Sequence, residues 1–361
     1  MPQLYAPTMQ LPNDPNDLYQ TARNFVEQSR GVTFSPFLSQ NALMTQWNAL
    51  LFTTQPQAHK TLFRCINIAL RSFHPSIGRQ LRSVPTIAFA LNKAKSDKSD
   101  LTMPPASNAP LFKYCYYASI ADTFGTDAVK SPLAGGELVL LGLRQSTSTL
   151  ANKGLGAYDD KIIVIKGIGA ARMADEFPAC TEPGAQYAQR AAPKPGGKPG
   201  ERVDDRYVGV KKNYLKDKFG KRTIPNNVGE DVDGDGILDA GRLTEGTYQY
   251  TEKQGGFLGD RAFRVGSTIL RGKKITFVLG ATQVAERDTD GDGVFTNADP
   301  SRIDNTRAGT TMYIHNGGSS LAEANTWSAG CQTIPKNFYK RFLQHIPVNT
   351  TFHYVLVNAV G

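Results

Sequence analysis

The residues whose types and spacing point to chemistry are His315 and Cys331. His315 lies in Met312-Tyr-Ile-His-Asn-Gly-Gly318, and Cys331 closes Asn325-Thr-Trp-Ser-Ala-Gly-Cys331, sixteen residues further on. A thiol attacks an acyl group as its thiolate, so it needs a base or a cation beside it. His315 supplies that base if the Gly-rich loop folds back on the strand that delivers the histidine. Gly330 lets the backbone turn sharply before the nucleophile, and the amides of Gly330 and Cys331 then face a developing oxyanion. Pro335 opens a helix just downstream, whose N-terminal dipole favours a thiolate. The competing reading is a buried structural cysteine beside a satisfied histidine.

Two acidic loops carry a second kind of chemistry. The first runs Asp231-Val-Asp233-Gly-Asp235-Gly-Ile-Leu-Asp239; the second runs Asp288-Thr-Asp290-Gly-Asp292-Gly293 and continues to Asn297 and Asp299. Carboxylates at alternate positions around a glycine turn can wrap a hard cation such as calcium. Arg242 and Asp299 occupy the twelfth positions, where an EF-hand has its bidentate glutamate, and the flanks read as strands. EF-hands are therefore not expected, and the loops are more similar to the calcium loops of thrombospondin-type repeats and dockerins. A pair of polar hairpin turns explains the same residues without a metal, because Asp-Gly is a strong turn signal. If calcium binds, its role is structural.

These residues need elements to position them. The chain has 361 residues, 40% of them hydrophobic and 20% charged, which excludes disorder and collagen-like fibres as the main state. The length suits two domains, or one large domain with an extension. Asp14-Pro15 predicts a helix start, and Leu18, Ala22, Phe25 and Val26 follow at helical spacing until Gly31. Leu43, Met44, Trp47, Leu50 and Leu51 predict a second helix. Leu62, Cys65, Ile66, Ala69, Leu70 and Phe73 predict a third, ending at His74-Pro75. Residues 93–110 read as a linker or long loop, and Tyr114-Cys-Tyr-Tyr117 is apolar but of open type.

From about residue 135 glycine becomes frequent and short β-like runs appear: Leu138–Leu143, Lys161–Lys166, Gly246–Thr251, Ala262–Val265, Ile275–Leu279 and Thr310–His315. Pro335–Leu343 predicts a helix with Phe338 and Phe342 one turn apart, and Thr351–Val357 a closing strand. Residues 191–200 form a Pro/Gly/Lys-rich exposed loop. The expected class is α+β, a helical N-terminal region over 1–130 followed by a mostly-β sandwich or barrel over 135–361.

Lys and Arg number 41 against 32 Asp and Glu, a formal net charge of +9. That favours an anionic partner such as nucleic acid, an anionic membrane face or an acidic wall polymer. No zinc finger, helix-turn-helix or ribonucleoprotein motif appears, so specific nucleic-acid reading is not expected. No run of 18 apolar residues exists, which predicts no transmembrane helix. The start has no basic n-region, apolar core or cleavage site, so no conventional secretory signal is expected. The four cysteines are widely spaced without a CxxC pair, which disfavours a zinc knuckle or a disulfide scaffold.

The run His315 … Ser328-Ala-Gly-Cys331-Gln resembles the signature of the YkuD-type L,D-transpeptidases: a histidine, a loop, then Ser/Thr-His-Gly-Cys. Tyr158–Ile165 and Phe177–Pro183 are similar to early strands of related bacterial and phage proteins. The resemblance covers roughly 135–361. It implies a YkuD-like fold and a cysteine enzyme acting on peptidoglycan stem peptides, with no cofactor for catalysis. Cys331 matches the nucleophile, His315 the base, Gly330 and Cys331 the oxyanion positions, and Ser328 the motif's Ser/Thr. Ala329 departs from the pattern, which has a second histidine there. The reaction outcome stays open between carboxypeptidase or endopeptidase hydrolysis and transpeptidation.

With no leader expected, the enzyme would reach the wall or periplasm through an injection or secretion apparatus, a phage particle or lysis. The N-terminal region would serve as adaptor, wall-targeting segment or structural extension, and an immunity protein is a conceivable partner. The rivals are a non-catalytic, calcium-stabilised wall-binding module and a calcium-dependent particle component.

Overall fold

A computed structural model describes residues 98, 101, 110–168, 171–185, 189–190, 230–234, 237–271, 274–278, 284–299, 301–304, 311–318 and 325–359. The three helices expected within 14–75, the loop 191–200, Asp235 and most of the 93–110 linker lie outside these residues. The chain divides into two compact units. Among the described residues, one takes those up to Leu141 together with those within Ile163–Asp175; the other takes Gly142–Ile162 and those within Glu176–Ala359.

In the first unit, helix α1 spans Pro110–Phe124 and helix α2 spans Lys130–Gly135. The segment Tyr114-Cys-Tyr-Tyr117, left open by its sequence, is therefore helical. Tyr114, Tyr116, Tyr117, Ile120 and Ala121 are all buried, so α1 is covered on more than one face and lacks a single apolar stripe. The Tyr114 hydroxyl donates to the Leu133 carbonyl at 3.1 Å, tying α1 to α2. Gly136 ends α2 in the left-handed conformation at φ 71°, a conformation glycine adopts without steric cost.

The strands run in chain order: β1 Val139–Arg144, β2 Asp160–Lys166, β3 Met173–Ala179, β4 Gln189–Arg190, β5 Ile237–Leu238, β6 Ala240–Leu243, β7 Gly246–Glu252 and β8 Phe263–Val265. They continue as β9 Ser267–Arg271, β10 Lys274–Val278, β11 Ala285–Asp288, β12 Ile303–Asp304, β13 Ile314–Asn316, β14 Gln332–Ile334 and β15 Thr351–Asn358. Eight of them form one sheet of order β14-β13-β8-β7-β15-β1-β2-β3. Every residue of β1 is buried, as its unbroken apolar run requires of a strand covered on both faces. Gly142 in β1 has no substitute: a Cβ there would lie 2.1 Å from the Tyr354 hydroxyl.

The two edge strands meet. Cys180, just after β3, bridges Thr333 of β14 through two backbone hydrogen bonds of 2.8 Å. The sheet thus nearly closes on itself, and among the described residues helices are few. A separate three-stranded sheet, β12-β11-β6, carries the flanks of the acidic loops. Helix α3, Lys336–Gln344, buries Tyr339 and Phe342. Phe342 meets Phe177 edge-on at 5.5 Å and Phe263 at 6.2 Å.

The expected strand Thr310–His315 begins only at Ile314. Part of the reason is that the Met312 carbonyl accepts the Tyr250 hydroxyl at 2.9 Å instead of a ladder amide.

Candidate active site

β13 and β14 pair in parallel, with Ile314 opposite Gln332 and His315 opposite Thr333. Cys331 stands two residues before Thr333, so strand alternation puts its side chain on the face that carries His315.

His315 is buried, and its Nδ1 lies 2.6 Å from the Asn316 carbonyl. A carbonyl only accepts, so Nδ1 carries the proton and Nε2 carries the lone pair. Nε2 is buried and makes no hydrogen bond. Burial pulls the imidazole down to about 4, against a smaller opposing effect of the Asn316 carbonyl. The ring is therefore neutral at pH 7.

Cys331 is half-buried. Burial pushes its thiol up to about 12, the reverse of what a nearby helix dipole was expected to do. The dipole effect fades beyond the first turn, and Pro335 stands as N-cap of α3, four residues on. Sγ faces the Thr311 carbonyl at 3.8 Å and is not hydrogen-bonded to Nε2. The resting groups are a thiol and a neutral imidazole.

The turn before Cys331 is tightly made. The Ser328 hydroxyl donates to the Cys331 carbonyl at 2.7 Å and accepts the Gly330 amide at 3.3 Å. The Gly330 amide, expected in an oxyanion hole, closes this turn instead. Gly330 adopts φ 110°, and a Cβ there would lie 2.3 Å from the Gly241 carbonyl. Only glycine fits that close approach. Gln332 faces the interior and accepts the Tyr354 hydroxyl at 2.9 Å.

The loop between β7 and β8 covers the histidine. Phe257 packs edge-on against His315 at 4.8 Å and Tyr313 at 5.4 Å. From the same loop, Asp260 accepts the Asn316 side-chain amide at 2.7 Å, and Lys253 lies 5.7 Å from the Tyr313 ring centroid.

Beside the site runs a chain of buried charges that sequence reasoning missed. Arg144 is fully buried and donates to the Thr181 hydroxyl and carbonyl, the Leu243 carbonyl and the Asn358 side chain. Glu182 accepts from Arg242 at 2.6 Å; Arg242 also bonds Glu286 at 2.8 Å, and Glu286 bonds Arg302 at 2.8 Å. Burial works against the Arg242 charge, but Glu182 and Glu286 more than offset it and raise its pKa. Asp160 accepts from the Gln145 amide and from the amide and hydroxyl of Thr181. Burial, then Glu182, pushes its carboxyl up to about 7. Arg144, Glu182, Arg242 and Glu286 are far apart in sequence, and no local spacing marks them as partners.

Of the acidic loops, Asp231, Asp233 and Asp239 place carboxylate oxygens within 4.8 Å of one another, and so do Asp288, Asp290 and Asp292. Three convergent carboxylates are a donor set suited to a hard divalent cation. Burial, with Asp299, Asp292 and Asp290 nearby, pushes Asp288 up to about 6. Asp299 is used differently: its oxygens accept the amides of Thr289 and Thr296 and organise the loop. Asp235 lies outside the described residues.

No family model, curated protein or solved structure matches this chain. Among the described residues, no helix is long and apolar enough to cross a membrane.

Proposed function

We propose that the protein is a cysteine enzyme acting on peptidoglycan stem peptides, with Cys331 as nucleophile and His315 as general base. The observation that carries the reading is the His315 ring. Its proton is held on Nδ1 by the Asn316 carbonyl, and its Nε2 is buried without a partner on the face that carries Cys331. Nε2 takes the thiol proton as Sγ attacks the peptide carbonyl, and the imidazolium returns it to the leaving amine. The Asn316 carbonyl then faces a cationic ring, which strengthens its hydrogen bond. The resulting thioester is resolved by water, giving hydrolysis, or by an amine, giving exchange. The resemblance of Ser328-Ala-Gly-Cys331 to the L,D-transpeptidase signature supports the substrate class, and the net charge of +9 suits an anionic wall. The two Asp clusters hold structural calcium in this reading.

A second reading has specific support. The high pKa of the Cys331 thiol and the use of the Gly330 amide in its own turn suit a non-catalytic, calcium-stabilised wall-binding module.

The test compares the wild type with Cys331→Ala on purified sacculi and tetrapeptide muropeptides, read by mass spectrometry. The enzyme reading expects a product that the variant does not form, its mass separating hydrolysis from exchange. Folded wild type that yields no product on several stem types leaves the binding module.

A further inference from the structure

The turn that carries Cys331 is held from two sides. On one side stands β6. A Cβ on Gly330 would lie 2.3 Å from the Gly241 carbonyl, and a Cβ on Gly241 would lie 2.3 Å from Arg287 Nη1. Gly241 is thus seated between the turn and the Arg287 guanidinium, which donates to Asp304 and to the Asp239 carbonyl. On the other side stands the segment after Cys180. The Gly184 amide donates to the Ser328 carbonyl at 2.8 Å, and the Ser328 hydroxyl donates to the Cys331 carbonyl at 2.7 Å.

One guanidinium joins the two sides. Arg242, next to Gly241, donates through Nη1 to Glu182 at 2.6 Å, two residues before Gly184. Through Nε it donates at 2.8 Å to Glu286, its register partner on β11. The Phe295 ring centroid lies 4.2 Å from the guanidinium carbon. Arg242, Glu182 and Glu286 are all buried. Glu182 Oε2 makes no hydrogen bond, so Oε1 ties this side chain, to Arg242 and, at 3.5 Å, to Arg144. A buried ion pair often adds no stability over apolar side chains of similar volume. What it adds here is direction, because a guanidinium is planar and meets its carboxylates along fixed lines.

We propose that Arg242 is a positioning residue for the nucleophile. By forking Glu182 and Glu286 it sets the separation of β6 from the 182–184 segment, and the turn 328–331 between them fixes where Cys331 Sγ stands. The inference rests on the reading of Cys331 as nucleophile and adds a residue to it.

The test uses Arg242→Lys, which keeps a cation between the two carboxylates and loses the fork. Urea denaturation first establishes that the variant is folded. On tetrapeptide muropeptides, kcat should fall about tenfold with KM unchanged, as for a displaced nucleophile. Iodoacetamide should modify Cys331 at least about threefold faster, because a loosened turn uncovers the thiol, while the Cys180 rate stays at the wild-type value. A thiol that reacts faster but catalyses more slowly marks lost positioning, which a purely stabilising charge would not produce. Glu182→Asp, which keeps the charge and shortens the reach by one methylene, should give the same pattern and serves where the lysine variant does not fold. Wild-type kcat and Cys331 labelling in the folded variants overturn the proposal, and so does labelling of both cysteines that rises together. If the wild type forms no product on any stem peptide, the nucleophile reading falls, and the Cys331 labelling rate alone decides whether Arg242 sets the turn.

Discussion

Cys180 follows β3 and Cys331 precedes β14, on the two edge strands joined by the Cys180–Thr333 bridge. The surroundings of the two thiols differ. Cys180 is fully buried, its Sγ donates to the Glu182 carbonyl at 3.1 Å, and burial together with Asp160 holds its thiol far above the ordinary range. Cys331 is half-buried, makes only a long 3.8 Å contact to the Thr311 carbonyl, and is raised by burial against the Tyr313 amide. Burial suppresses both thiolates, so thiol pKa does not distinguish the two cysteines from each other. The two differ in access, and Cys331 borders the strand paired with the one that carries His315. Cys180 serves as the internal control for Cys331.

Alkylation by iodoacetamide, mapped by peptide mass spectrometry, gives the largest expected contrast. Cys331 should be modified at least about 100-fold faster than Cys180 in the native protein, because reactivity needs access as well as thiolate. With a thiol near 12, the thiolate fraction grows tenfold per pH unit, so the Cys331 rate should climb log-linearly from pH 6 to 9. A rate that levels off above pH 7 would mean a preformed thiolate–imidazolium pair and would break the general-base account. Comparable labelling of both cysteines would break the contrast itself.

The Cys180 side of the bridge is stiffened by the buried charges around Glu182, and their cost can be measured. Arg242→Met leaves Glu182 and Glu286 buried without their shared cation. Removing one partner of a buried pair costs about 3–5 kcal/mol. Lys161→Met, which breaks a half-exposed pair with Glu176, should cost under about 1 kcal/mol. Urea denaturation of both variants checks the difference. An Arg242→Met protein as stable as the wild type would mean that the charges around Glu182 do not hold that edge.

How far the sequence was legible follows the range of the interactions. Periodicity located β1, β2, β7, β8, β15 and α3 because each is a local pattern of apolar residues. It missed β6, β11, β12 and β14, which are short, carry charged or polar residues and exist through their partners. Of the strand expected over Thr310–His315, the described residues turn to strand at Ile314, and the Met312 carbonyl accepts a hydroxyl from β7. His315 and Cys331 were visible because glycines and a serine surround them at short range. The Asn316 carbonyl that fixes the tautomer and the Phe257 lid were invisible, since backbone acceptors leave no residue signature and the lid comes from another hairpin. The oxyanion expectation assumed a free Gly330 amide, but the adjacent Ser328 hydroxyl is nearer.

The smallest expected effect separates the acidic loops from the thiol site. Each cluster brings three carboxylates within 4.8 Å, a like-charge arrangement that a divalent cation relieves. If calcium binds the folded state at a concentration about 100 times its Kd, it stabilises by about 2.7 kcal/mol. For a domain of this size that raises Tm by several degrees. Asp290→Asn with Asp292→Asn should remove the second loop's share of that shift. Differential scanning calorimetry with calcium and with chelator measures it, and magnesium, which demands a tighter octahedral shell, should give less. The Cys331 alkylation rate at 25 °C should be the same with calcium and with chelator. A rate that falls on chelation would make the cation part of the site's architecture, and a Tm indifferent to calcium would leave the two loops as polar hairpin turns.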